Sequence, residues 1–143
     1  MTSVAQVIQQ KKDPSVYTIS PTASIVDAVN LMASKDIGAV IVTNEGKMVG
    51  ILSERDCARK VIIHSLIAEE TLVQEIMTAN VISVHLNNTV EECLTLMTNR
   101  HLRHLPVLDQ GHLVGLVAIG DLVKATIEDQ HNLIQQLQHY ISS

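Results

Sequence analysis

The strongest constraint on this chain is that it repeats itself. The phrase Gly50-Ile51-Leu52-Ser53-Glu54-Arg55-Asp56 returns 65 positions later (115 − 50) as Gly115-Leu116-Val117-Ala118-Ile119-Gly120-Asp121, and the stretches 16–57 and 81–122 align on that offset without a gap. Identical pairs are Val16/Val81, Leu31/Leu96, Met32/Met97, Val42/Val107, Gly46/Gly111, Val49/Val114, Gly50/Gly115 and Asp56/Asp121; elsewhere the hydrophobic pattern is kept and the residues are not. A duplication of this kind restricts the fold to two copies of one supersecondary unit.

The unit can be read from its periods. Residues 2–10 carry apolar side chains at 4, 7 and 8 behind Thr2 and Ser3, which predicts a short capped helix. Val16-Tyr17-Thr18-Ile19 alternates as a strand that Pro21 ends. From Ser24, with Asp27 spaced as in a capping box, Ile25, Ala28, Val29 and Met32 form the stripe of an amphipathic helix that Gly38 is expected to close. Ala39–Thr43 and Lys47–Leu52 flank the turn Asn44-Glu45-Gly46 as a hairpin, and Ser53 opens the next helix. Shifted by 65, Val81–Val84 form the strand and Thr89/Glu92 the capping box. Val90, Cys93, Leu94 and Met97 form the stripe, and Leu105–Leu108 and Leu113–Val117 the hairpin. Val73, Ile76 and Met77 echo Val4, Val7 and Ile8, so the leading helix recurs too. The expected fold class is α/β (α+β): two tandem β-α-β-β-α repeats packed face to face about a pseudo-two-fold axis, because each exposes an apolar face it cannot cover alone. The organisation predicted is one module over 1–143, with repeats at 2–64 and 71–127 and a C-terminal helix at 128–143.

Composition narrows the functional classes. At 143 residues and 46% hydrophobic the chain can bury one sizeable core, and no apolar run reaches the roughly 18 residues of a membrane span. A formal charge of −5 disfavours non-specific grip on phosphate backbones, and with no Phe or Trp there is no base-stacking platform. Neither nucleic acid nor membrane is an expected partner. Cys57 and Cys93 make no disulfide framework, no secretion signal is legible, and the expected location is the cytoplasm. The seven histidines show none of the spacings of a zinc site, so no metal is expected, and the methionines at 32, 48, 77 and 97 read as core packing.

The β-α-β-β-α order, the hairpin ending Gly-Ile-Leu-Ser-x-x-Asp, and Arg103-His104-Leu105-Pro106-Val107 opening the second hairpin together resemble the CBS-domain pair, or Bateman module, over residues 2–127. The Ser-Glu-Arg-Asp run, the Arg59-Lys60 that follows it and Tyr140-Ile141 are similar to the small bacterial stand-alone pairs. The resemblance implies a non-catalytic, regulatory signal-transduction protein that binds AMP, ADP, ATP or NAD(H) in the cleft between repeats; some family members bind S-adenosylmethionine. It also implies a homodimer and an unidentified regulated protein. The positions it marks are Thr18, Ala39, Val40, Ser53, Arg55 and Asp56 in the first repeat, and Ser83, Arg103, His104, Leu105 and Asp121 in the second. Their chemistry suits such a ligand, because an aspartate accepts two hydrogen bonds from vicinal ribose hydroxyls, and Ser53 with Arg55 can meet phosphate at a helix start. Arg103 and His104 resemble basic residues that reach phosphate, and Arg59 and Lys60 are further candidates.

Ser53-x-x-Asp56 is also a plain capping pattern, but Ala118 cannot cap and Asp121 remains, which favours a ligand. Ala118 removes a hydroxyl from the second pocket, and Cys57 stands where relatives often carry Tyr, so unequal pockets are expected. Beyond the repeat, Val123, Ile127, Ile134, Leu137 and Ile141 keep a three-four spacing that Leu133 and Tyr140 broaden, and a dimer contact is expected there. The alternative function is a structural dimerisation module with a vestigial, unoccupied cleft.

Overall fold

In the computed structural model, which describes residues 1–142, the elements run α1 (Val4–Gln10), β1 (Thr18–Ile19), α2 (Ile25–Lys35), β2 (Ala39–Asn44), β3 (Lys47–Ser53), α3 (Glu54–Ile63), α4 (Val73–Ile76), β4 (Val84–His85), α5 (Val90–Arg100), β5 (His104–Asp109), β6 (His112–Ala118) and α6 (Ile119–Ser142). They fall into two compact units, one spanning Val16–Val81 and the other joining Met1–Ser15 to the chain from Ile82 onward.

Each unit holds one three-stranded sheet, ordered β1-β2-β3 or β4-β5-β6, with a parallel first pair and an antiparallel hairpin. The registers are equivalent: Ile19 faces Val42 and Val84 faces Val107, while Ala39 faces Ser53 and His104 faces Ala118. Both hairpins turn on two residues of positive φ, Glu45-Gly46 (52° and 78°) and Gln110-Gly111 (50° and 80°). This is the turn whose twist matches the strands, and its second position favours glycine. In the Val16–Val81 unit, Ile25, Ala28 and Met32 of α2 pack with Val40, Val42, Leu52 and Cys57. In the other, Val90, Cys93 and Met97 of α5 pack with Leu105, Val107, Val117 and Leu122. Each large side chain so enclosed contributes about 1.5–3 kcal/mol. Met32 and Met97 are buried as expected; Met48 and Met77 are only half-buried.

Other details also depart from the sequence reading, and Val29 of the expected α2 stripe is exposed. The first strands are two residues long, where 16–19 and 81–84 were expected. Beyond those pairs the parallel ladder adds one bond, Ile41 N–H to Tyr17 O (3.3 Å), and Pro106, at the position of Ile41, has no N–H to make its counterpart. Helix α2 is closed by Asp36 in the left-handed region (φ 52°), not by Gly38, and His101 (φ 55°) closes α5 at the equivalent place; Gly38 instead accepts the Glu54 N–H through its carbonyl. Ser24 caps α2 through the Asp27 N–H without the reciprocal bond, whereas Thr89 and Glu92 form the full box. The C-terminal segment is the continuation of α6; its expected end at Ser143 lies outside the described residues.

The leading helices are exchanged between repeats. Helix α1 joins the second repeat's sheet, with Val4 N–H to Asn88 O (2.8 Å) and Val90 N–H to Thr2 O (3.0 Å). Helix α4 joins the first, with Val73 N–H to Ala23 O (2.8 Å) and Ile25 N–H to Thr71 O (2.9 Å). This exchange explains the identical Gly50/Gly115 pair: a Cβ would stand 2.5 Å from Met77 Sδ at Gly50 and 2.6 Å from Ile8 Cδ1 at Gly115, so each leading helix lies against its sheet only where a side chain is missing.

Candidate functional site

Within each unit the topology gathers the marked residues at one end of the sheet. Strand β2 starts where β3 ends, and β1, being parallel to β2, starts at that end as well; the helix after the hairpin begins there too. Thr18, Ala39, Val40, Ser53 and Asp56 therefore share an end of one sheet, as Ser83, His104, Leu105 and Asp121 do of the other. Val40 and Leu105 are fully buried, backbone included, and pair within their hairpins with Leu52 and Val117, so they shape the sheet end from inside; Ala39 is nearly as buried. Since the Ile41 N–H points at Tyr17, alternation turns the N–H and C=O of Ala39 to the same side, beyond the start of β1.

The two ends differ in detail. At the first, Ser53 Oγ accepts the Asp56 N–H (3.1 Å) and keeps its own hydroxyl proton to donate. The Asp56 carboxylate is half-buried and has no partner among the described residues, so both oxygens can accept. Arg55 projects from the exposed side of the same turn, Arg59 is exposed, and Lys60 is turned away to the Ile76 carbonyl (2.8 Å). At the second end Ala118 has no hydroxyl to accept the Asp121 N–H, and only the reciprocal half of a capping box forms: Asp121 Oδ2 accepts the Ala118 N–H (2.9 Å) and lies 3.4 Å from Lys11 Nζ. Ser83 is half-buried, Arg103 is exposed with its carbonyl holding the Ile119 N–H (2.9 Å), and His104 is half-buried. Lys11 was not legible as part of this end, because it reaches Leu116 and Asp121 only through the exchange of leading helices.

No thiol here is poised for chemistry. Burial, followed by the neighbouring Asp56 and Glu54 charges, pushes the Cys57 thiol up to about 11; burial and then the Glu92 charge push Cys93 up to about 11. Among the described residues no group of three or more His, Cys, Asp or Glu is placed to hold a metal ion, and no helix is long and apolar enough to cross a membrane.

Two copies of one β-α-β-β-α unit, each with an aspartate on the first turn of the helix that leaves its hairpin, define a tandem-repeat module. Comparison gives the family: the model of the CBS domain matches twice, over residues 4–63 and 73–128, and the chain belongs to the CBS-domain family as a tandem pair. A protein with CBS domains from Burkholderia ambifaria MC40-6 superposes with a TM-score of 0.87 at 46% identity, covering 90% of this chain and 96% of that one. The CBS domain-containing protein YhcV of Bacillus subtilis is 36% identical over 75% of this chain and 76% of its own. The CBS-domain pair of protein MJ0100, in complex with 5-methylthioadenosine and S-adenosyl-L-methionine, is similar at 26% identity with a TM-score of 0.79, over 90% of this chain and 98% of that one.

Proposed function

We propose that this chain is a non-catalytic regulatory module that senses an adenosine nucleotide, AMP, ADP, ATP or NAD(H), and passes its binding to a regulated protein. The observation that carries the reading is Asp56: a half-buried aspartate with both oxygens available, on the first helical turn beside Ser53 and at the sheet end that also holds Thr18 and turns the backbone of Ala39 beyond the start of β1. A carboxylate so placed can accept both vicinal hydroxyls of a ribose, the Ser53 hydroxyl can donate to a phosphate oxygen, and Arg55 adds a charge-assisted donor. The adenosine ligands of the MJ0100 pair support the ligand class. Ser83, Arg103, His104, Leu105 and Asp121 form the weaker counterpart, since Asp121 has one oxygen engaged and Ala118 lacks a hydroxyl.

The same reading makes the protein a cytoplasmic homodimer. Two buried, unpaired cysteines suit a reducing compartment. Ile127, Leu133, Ile134, Leu137 and Ile141 lie exposed along α6, a stripe that a second copy would cover. That stripe is also what favours the second reading, a dimerisation module whose sheet ends bind nothing.

A thermal-shift panel of AMP, ADP, ATP, NAD, NADH and S-adenosylmethionine separates the two. A ligand at 100 times its dissociation constant adds about 2.7 kcal/mol, a shift well above error. Silence across the panel selects the dimerisation module.

A further inference from the structure

We propose that Lys11 is the positioning residue of the second sheet end, holding the Asp121 carboxylate so that one oxygen faces the ligand; this rests on the nucleotide-sensing reading above. Lys11 is not a loose surface lysine. Its Nζ donates to Leu116 O at 2.8 Å, and that anchor sets the ammonium 3.4 Å from Asp121 Oδ2 with both side chains about a quarter exposed (25% and 28%).

The equivalent place in the other unit shows what is special. Ile51, the counterpart of Leu116, exchanges two backbone bonds with Thr78: the Thr78 N–H meets Ile51 O at 2.9 Å and the Ile51 N–H meets Thr78 O at 3.0 Å. Helix α4 is four residues long and the chain then pairs along β3, whereas α1 is seven residues long and the Lys11 side chain reaches the strand carbonyl instead. A cation therefore stands beside Asp121, while Asp56 has no ion-pair partner among the described residues.

Two consequences follow for a ligand. With Oδ2 tied to the Ala118 N–H and to Lys11, Asp121 Oδ1 is left to accept one ribose hydroxyl in a fixed direction, where Asp56 can accept two. The ammonium also offsets the carboxylate charge that would otherwise repel the phosphate of the same nucleotide. The Thr2 hydroxyl bonds to both Asp129 oxygens (2.8 and 2.6 Å), so α1 is pinned to α6 at its far end as well, and the backbone that carries Lys11 is held independently of the Lys11 side-chain contacts.

The test is calorimetry with AMP on the full chain in an Asp56→Ala background, which isolates the second sheet end. Lys11→Met is expected to weaken AMP there about fivefold, the upper end of what a partly exposed ion pair contributes, and to flatten the salt dependence, while Lys11→Arg restores both. Unchanged or tighter binding in Lys11→Met, or a second sheet end already silent with Lys11 intact, overturns the proposal. A wild-type chain that binds no nucleotide at all refutes the nucleotide-sensing reading itself, a different result. Circular dichroism of each variant at the assay temperature shows that the fold is retained, and if Lys11→Met unfolds, Lys11→Gln serves in its place.

Discussion

Placing a methyl group on Gly50 should destabilise the protein more than placing one on Gly115, although the two glycines are equivalent in the repeat. At Gly115 the close contacts are to one flexible side chain, Ile8 Cδ1 at 2.6 Å and Cγ1 at 3.2 Å: a rotation about χ2 carries Cδ1 away, Cγ1 has to give by only a few tenths of an ångström, and Val107 Cβ at 3.7 Å is an ordinary contact. At Gly50 it meets Met77 Sδ at 2.5 Å, which can swing aside, and the Thr78 carbonyl at 3.0 Å, which cannot, because Thr78 is held to Ile51 by two backbone bonds. Overpacking a close contact costs about 1–3 kcal/mol, and replacing glycine returns about 0.4–1 kcal/mol through the unfolded chain. The net for Gly50→Ala is then about 1–2 kcal/mol and for Gly115→Ala about 0–1 kcal/mol. Near this chain length each kcal/mol moves Tm by about 2–4 °C. Urea unfolding followed by far-ultraviolet circular dichroism is the appropriate assay, since the chain has no Trp and only two Tyr. Equal losses at the two glycines, or a neutral Gly50→Ala, would show that the leading helices do not press on the hairpins as described.

Further outcomes are expected. Cys57 and Cys93, with thiols near 11, should resist alkylation at pH 8 in the native state; because both pKa values exceed the unfolded value of about 9, their contribution to stability is complete below pH 9 and fades as pH rises towards 11, so rapid native labelling would contradict their burial. Changing Ile134 and Leu137 together to Asp should convert a dimer to a monomer in sedimentation while leaving nucleotide affinity within twofold, and a monomeric wild type at low micromolar concentration would remove α6 as the interface. Ala118→Ser should tighten AMP at the second sheet end relative to adenosine, because it restores a hydroxyl donor for phosphate; equal gains for the two ligands would place the phosphate elsewhere.

Much of this was legible because the repeat is scored twice. The stripe Ile25, Ala28, Met32 and its echo Val90, Cys93, Met97 both face cores, and both Gly46 and Gly111 occupy the turn position that favours them. What the pattern hid was non-local. The exchange of leading helices cannot be read from periodicity, since Val4 and Val73 satisfy the same helical face whichever sheet they cover. For the same reason Lys11 gave no signal as a neighbour of Asp121, and the space constraint on Gly50 and Gly115 was visible only as an identity without a cause. The closure of α2 at Asp36 was hidden by the nearby Gly38, the residue with the stronger prior for that place.

The central claim is that Asp56 accepts the ribose of an adenosine ligand, and titration calorimetry of wild type, Asp56→Ala and Asp121→Ala with the tightest-binding member of the nucleotide panel tests it most directly. A charged hydrogen bond contributes about 1.5–3 kcal/mol, so Asp56→Ala should lose about tenfold to a hundredfold in affinity, and Asp121→Ala less because one of its oxygens is already engaged. An unchanged affinity in Asp56→Ala would contradict the account, whatever the second sheet end does.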